Sequence, residues 1–183
     1  RVLFRSEKSF TILVIGVWLQ YPKEFKILYM KRYEGRESDI RHQRNDIIEK
    51  CRLYDVDLIG ADWGAGQQTN LDLMDEFGQE MVVQFYNAGN QKDKAKWNAK
   101  RNFFTISRTT CMNDMFNFIK KKRFIFPKYD VWEHLAKNFL AVDIDYNKDG
   151  VMYYDHNPDN PDDAVHATMY SMLAGEVFYE DIK

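Results

Sequence analysis

Along these 183 residues the apolar positions switch between a two-residue and a 3.6-residue period, and the switches mark the elements. Thr11 to Trp18 is a continuous apolar, β-branched run, which predicts a central strand. Tyr21-Pro22-Lys23-Glu24 predicts a turn, and Phe25 to Tyr33 the antiparallel strand that returns from it. Ser38-Asp39 caps a predicted helix running to about Tyr54, with Ile40, Ile47, Ile48 and Cys51 on its inner side. Val56 to Ala61 predicts a short buried strand that ends at Asp62. A helix from Thr69-Asn70 through Phe77, closed by Gly78, and a strand from Met81 to Tyr86 follow.

The second half opens with a polar, basic stretch from Asn87 to Arg101 that carries a single aromatic, Trp97. Asn102 to Ile106 predicts a strand, and Thr109 to Lys122 an amphipathic helix with Met112, Met115, Phe116 and Ile119 inward. Phe124-Ile125-Phe126-Pro127 reads as extended, and Tyr129 to Asn138 as a helix. Strands at Phe139 to Asp145 and Val151 to Tyr154 flank the hairpin turn Asn147-Lys148-Asp149-Gly150. The last helix is expected from about Pro161 to Phe178. This order predicts an α/β domain: a mixed sheet flanked by helices, with an added β-hairpin near the C-terminus.

Composition places few limits on that picture. Hydrophobic residues make up 45% and charged residues 30%, as in ordinary globular domains, and the chain is long enough for one domain with a real core. No run has the length of a membrane span and no signal peptide is expected. Cys51 and Cys111 lack metal-ligand spacing and are expected to be reduced and structural, which suits an intracellular protein. The charge distribution says more. Residues 91–128 carry eleven Lys or Arg against Asp93 and Asp114, whereas residues 129–183 carry three basic residues against twelve acids. Two solvated faces of opposite sign would look like this, and so would an enzyme that holds a polyanion with one face and metal ions with the other.

The candidate chemistry starts in the acidic half. Asp155-His156-Asn157-Pro158-Asp159-Asn160-Pro161-Asp162-Asp163 packs four carboxylates and a histidine ahead of the last helix. Carboxylates so close repel unless a cation sits among them, and the three-residue spacings of His156, Asp159 and Asp162 suit one ion. Asp162 and Asp163 also suit the positive end of a helix dipole, whatever else they do. His166, one turn on, is expected to pack. Asp62-Trp63-Gly64-Ala65-Gly66 supplies an acid at a strand end before a loop that glycine lets pass close to a ligand, although a capping aspartate would look the same. The loop lacks the lysine of a phosphate loop and the third glycine of a dinucleotide fingerprint. Asp145-Tyr146-Asn147-Lys148-Asp149-Gly150 begins like a calcium-binding loop, but His156 stands where the bidentate glutamate belongs, so a plain hairpin is expected. Trp97 among Lys92, Lys94, Lys96, Lys100 and Arg101 is a candidate nucleic-acid contact, joined by Arg108 and the helix-ending run Lys120, Lys121, Lys122 and Arg123.

Taken in order, the Asp-x-Gly-x-Gly at Asp62, the basic segment with Trp97, Ile106-Ser107-Arg108-Thr109, Ile125-Phe126-Pro127, the hairpin and Asp162-Asp163-Ala164-Val165-His166-Ala167 resemble one family. That family is the nuclease domain of the large terminase subunit of tailed double-stranded-DNA bacteriophages. The resemblance covers about Phe10 to Ala174. It implies a ribonuclease H-like fold and carboxylates around one or two Mg²⁺ or Mn²⁺ ions, with Asp62 as the second acid and Asp162 and Asp163 supplying the third. Asp159 and His156 are further candidate ligands. The implied activity is cutting of concatemeric viral double-stranded DNA in the host cytoplasm, transiently at the procapsid portal. The implied partners are an ATPase domain of the same chain, the portal and the small terminase subunit, with no membrane.

The sequence departs from that family in one respect. The family's first acid sits on a strand that should precede Phe10, where the sequence offers only Glu7. The expectation is therefore that residues 1–183 are a single nuclease domain, the C-terminal part of a longer chain, with the first strand and the ATPase domain outside it. Two other readings stay open: another ribonuclease H-like nuclease of the resolvase or integrase type, and a non-catalytic DNA-binding or motor-assembly module.

Overall fold

The computed structural model describes residues 10–64, 66–88, 92–156 and 159–182; Glu7, Ala65, Asn157 and Pro158 lie outside them. The described residues form a mixed α/β protein with five α-helices and three sheets. β1 (Thr11–Gln20) and β2 (Lys23–Tyr33) pair antiparallel, and a two-residue strand β7 (Phe124–Ile125) joins β2 in parallel. β3 (Ile59–Asp62), β4 (Val82–Asn87) and β6 (Phe103–Ile106) are parallel neighbours, and β5 (Ala95–Asn98) closes that sheet antiparallel to β6. β8 (Val142–Tyr146) and β9 (Met152–His156) make the C-terminal hairpin.

Most elements lie where the pattern predicts, with informative shifts. Asp39 does cap α1 (Ile40–Leu53), accepting from Arg41 N and His42 N. β3 begins at Ile59, not Val56, because the chain turns through Asp55 at a positive φ of 49° before it can extend. α2 (Gln67–Phe77) starts earlier than Thr69, directly from Gly66 in the left-handed region, and closes at Gly78 as expected. β5 falls inside the stretch that looked like a polar loop: Lys96 and Trp97 alternate across a sheet edge, and its neighbours are too polar to show a strand in the sequence. α4 (Tyr129–Leu140) takes in Phe139 and Leu140 and so delays β8 to Val142.

Besides the hairpin one sheet was expected and two are present, held side by side by α5 (Asp163–Phe178). That helix is apolar around its whole circumference, with Val165, Met169, Tyr170, Met172 and Leu173 all buried. A helix of that kind has to be covered on several sides. It packs along β1 and across β3, and α3 (Arg108–Lys120) and α4 lie against it. Fully burying each such large side chain contributes roughly 1.5–3 kcal/mol. On the opposite face α1 and α2 enclose a second core of Tyr33, Ile47, Cys51, Leu73, Met74 and Val82. Glycine makes the close approaches of α5 possible. A Cβ on Gly60 of β3 would lie 2.6 Å from Tyr170 O, and one on Gly175 would lie 2.2 Å from Trp18 Cδ1.

Gly175→Ala therefore sets helix propensity against packing. Alanine is favoured inside a helix by about 1 kcal/mol. Overpacking costs about 1–3 kcal/mol, and Trp18 cannot easily retreat because its Nε1 donates to Met172 O at 3.1 Å. The clash should win, lowering stability by up to about 2 kcal/mol in urea unfolding; an unchanged or higher midpoint would show that the helix is not wedged against Trp18.

Candidate functional site

The three parallel strands β3, β4 and β6 end along one edge, at Asp62, Asn87 and Ile106. In open α/β sheets the carboxyl ends of the strands are where ligands bind. Asp62 is held there from two sides. Asn70, at the end of the first turn of α2, donates from Nδ2 to Asp62 O at 2.9 Å, and the Trp63 N–H donates to Phe85 O at 3.0 Å. Tyr170 OH donates to Asp62 Oδ1 at 3.1 Å and accepts from Asn87 Nδ2 at 2.8 Å. Burial, reinforced by the Asp62 charge, pushes the Tyr170 phenol far above its ordinary range, so it stays a neutral donor.

Asp163, the first residue of α5, reaches the same edge. Its Oδ2 accepts the backbone N–H of Phe10 at 3.0 Å, tying the start of β1 to the start of the helix. Asp62, Asn87, Asp163, His166 and Tyr170 line a groove of about 870 Å³ together with all of β1 from Thr11 to Trp18 and all of β3. Among the described residues β1 is paired only through β2, and β3 only through β4, so each turns its other edge toward this groove. β1 runs along α5 in the same direction, from Phe10 beside Asp163 to Trp18 beside Gly175. β3 runs the other way, from Gly60 beside Ala174 to Asp62 beside Tyr170. Both acids thus stand at one end of a strand-shaped slot.

Asp162 has a different environment. It is 6% exposed, and the cation beside it is the Arg108 guanidinium: Nη2 donates to Asp162 Oδ2 at 2.8 Å, Nε to His166 Nε2 at 2.9 Å and Nη1 to Tyr154 O at 3.0 Å. His156 Nδ1 lies 3.4 Å from the same Asp162 oxygen. One acid of the run, Asp162, thus meets a positive charge, and that charge belongs to the protein. Because Arg108 always donates, His166 Nε2 accepts, and the imidazole proton is assigned to Nδ1. Burial, with Arg108 adding to it, outweighs the neighbouring carboxylates and lowers the His166 pKa below its ordinary 6.5. With the Asp162 side chain engaged by Arg108, one of the first amides of α5 is served from α4, where Asn138 Oδ1 accepts from Ala164 N at 3.1 Å.

The remaining sequence-predicted residues are spread widely. Asp159 is exposed in the turn before α5. Among the described residues no three His, Cys, Asp or Glu side chains are arranged to hold a metal ion by themselves. Lys94 faces inward, bonded to Asp114 Oδ2 at 2.8 Å and Glu176 Oε2 at 2.7 Å. Burial opposes its charge, but Glu176 and Asp114 offset that and raise its pKa. Lys92, Lys96, Lys100 and Arg101 are exposed, and Trp97 is 41% exposed at the sheet edge with its ring on Phe104. Lys120 to Arg123 are exposed at the far end of α3, ~18 Å along the helix from Arg108. The turn Asn147 to Gly150 is a plain hairpin as expected, with Asn147 Oδ1 accepting from Asp149 N and Val151 N. Sequence reasoning missed Tyr170 and Asn87, although Asp162, His166 and Tyr170 recur at four-residue spacing, which puts them on one helix face.

Arg108→Ala leaves the Asp162 carboxylate buried without its cation. Breaking such a pair costs about 3–5 kcal/mol, and the low end is expected because the Arg108 side chain is 30% exposed. Adding Asp162→Asn should restore part of that stability in chemical denaturation. His166 gives a pH signature. Its folded pKa is depressed, so the unfolded chain takes up the proton first as pH falls through 6.5. Its contribution is full above 6.5 and lost below, and His166→Gln should flatten that part of the stability–pH curve.

No protein-family model matches this chain, and no curated protein or solved structure matches it either, so what it does has to be argued from these side chains.

Proposed function

We propose that this chain is a metal-dependent DNA endonuclease domain of the large-terminase type, ribonuclease H-like in architecture. The observation that carries the reading is that Asp62 and Asp163, far apart in sequence, stand at one end of the groove between β1 and β3. Carboxylate oxygens are the donors that Mg²⁺ and Mn²⁺ take, and among the described residues Asp62 and Asp163 are the ones suited to hold such an ion. When bound, it would supply an activated water and charge stabilisation for in-line attack on a phosphodiester. Asp162 and His166 are better suited to positioning, since Arg108 engages both. Tyr170 aims the Asp62 carboxylate.

The resemblance expects the first strand and its acid ahead of Phe10, outside the described residues. The exposed cations Lys92 and Lys96, beside the carboxyl end of β6, are suited to hold phosphates near this edge; Lys100 and Arg101 lie in the β5–β6 turn at the other end of the sheet, and Lys94 and Arg108 are committed to internal carboxylates. An ATPase domain of the same chain, the portal and the small subunit remain the partners this reading implies.

The test is digestion of supercoiled plasmid by the full-length protein with Mn²⁺, Mg²⁺ or EDTA. Metal-dependent nicking should fall by at least about a thousandfold in Asp62→Asn while thermal unfolding stays close to wild type. Cleavage that survives Asp62→Asn would overturn the reading. DNA binding without any metal-dependent cleavage would favour the non-catalytic module instead.

A further inference from the structure

The sheet β3-β4-β6-β5 has two faces of unequal cover. Gly60, Asp62, Phe85, Asn87, Phe104 and Ile106 point toward α5. On the other face α1 and α2 cover Val82, and Asn70 of α2 lies within 3.5 Å of Gln84. Among the described residues no helix covers the face beyond Gln84. Tyr86 is 40% exposed, Thr105 is half-buried and Lys96 is exposed, and the strand register sets these three side by side across β4, β6 and β5. Trp63, the residue after Asp62, folds onto this face. Its ring meets Tyr86 edge-on at 5.4 Å and Phe103 at 5.2 Å, and Phe103 is buried beneath them. The aromatic pair is therefore braced from below.

We propose that this open half-face binds single-stranded nucleic acid, with an unstacked base lying on Tyr86 and the adjoining phosphate held by Lys96. The proposal deepens the nucleic-acid reading of the site and rests on it. Lys96 lies two strands from Tyr86, about 10 Å, with only the small Thr105 between them. Lys92, Lys100 and Arg101 add exposed positive charge around β5, against the single acid Asp93. A stacking ring bordered by cations suits a strand whose bases are free, because a duplex hides the faces of its bases from such a ring. Trp63 joins the platform directly to Asp62, so a strand lying here passes the end of β3.

The experiment is fluorescence anisotropy of a short labelled oligothymidylate and of a duplex of equal length, in EDTA, with the full-length protein. The single strand should bind more tightly than the duplex. Tyr86→Leu should weaken it about tenfold or more, Tyr86→Phe should restore it, and Lys96→Ala should weaken it and flatten its salt dependence. Wild-type affinity in Tyr86→Leu, or equal binding of duplex and single strand, would overturn the proposal. Should Tyr86→Leu fail to fold, Lys96→Ala decides, since that side chain is exposed: unchanged single-strand affinity there refutes the platform. No metal is present, so a protein that never cleaves DNA leaves this result intact.

Discussion

The contact of α5 with both sheets is the constraint on which the rest depends. β1 and β3 are not hydrogen-bonded to each other, and the groove between them is spanned on one side by this helix. Its apolar surface keeps it buried, and Gly60 and Gly175 let it approach β3 and Trp18 more closely than any side chain would allow. The same helix starts with Asp163 and presents His166 and Tyr170 one and two turns on. Packing that fixes α5 therefore also fixes Asp163, and through Tyr170 it fixes Asp62. Stability and site geometry rest on one set of contacts.

Electrostatics then divides the acids by role. Asp162 and Asp163 are adjacent in sequence yet face different partners, the first an internal guanidinium and the second the Phe10 amide just ahead of β1. A buried carboxylate with an arginine fork beside it is suited to shaping a site, because the pair has already satisfied its charge. A half-buried carboxylate at a groove end is suited to taking an ion. The Lys94, Asp114 and Glu176 cluster repeats the first pattern, pinning the segment before β5 to α5.

Much of this was legible in the sequence. Long apolar runs such as Thr11–Trp18 and capped helices such as the one behind Asp39 carry strong local signals, and they fall where expected. Asp62 was legible because a buried strand ends on it before glycines. The short edge strand at Ala95–Asn98 was not, since its polar side chains conceal a two-residue period. The identity of the cation among the acids was also hidden. Arg108 lies 54 residues from Asp162, and only the packing of α3 beside α5 brings them together. For the same reason Lys94 and Arg108 read as surface cations, because composition cannot tell a lysine that faces Glu176 from one that faces solvent.

The central claim is that Asp62 and Asp163 form the cation-binding end of the β1–β3 groove. It is tested most directly by adding substoichiometric Mn²⁺ to the isotopically labelled full-length protein and mapping paramagnetic broadening of its amide resonances. Broadening centred on Asp62, Asn87, Asp163 and His166, and abolished by Asp62→Asn, is the predicted result. Broadening that instead centres on the exposed acids of the hairpin, Asp143, Asp145 and Asp149, and leaves the groove end sharp would contradict it.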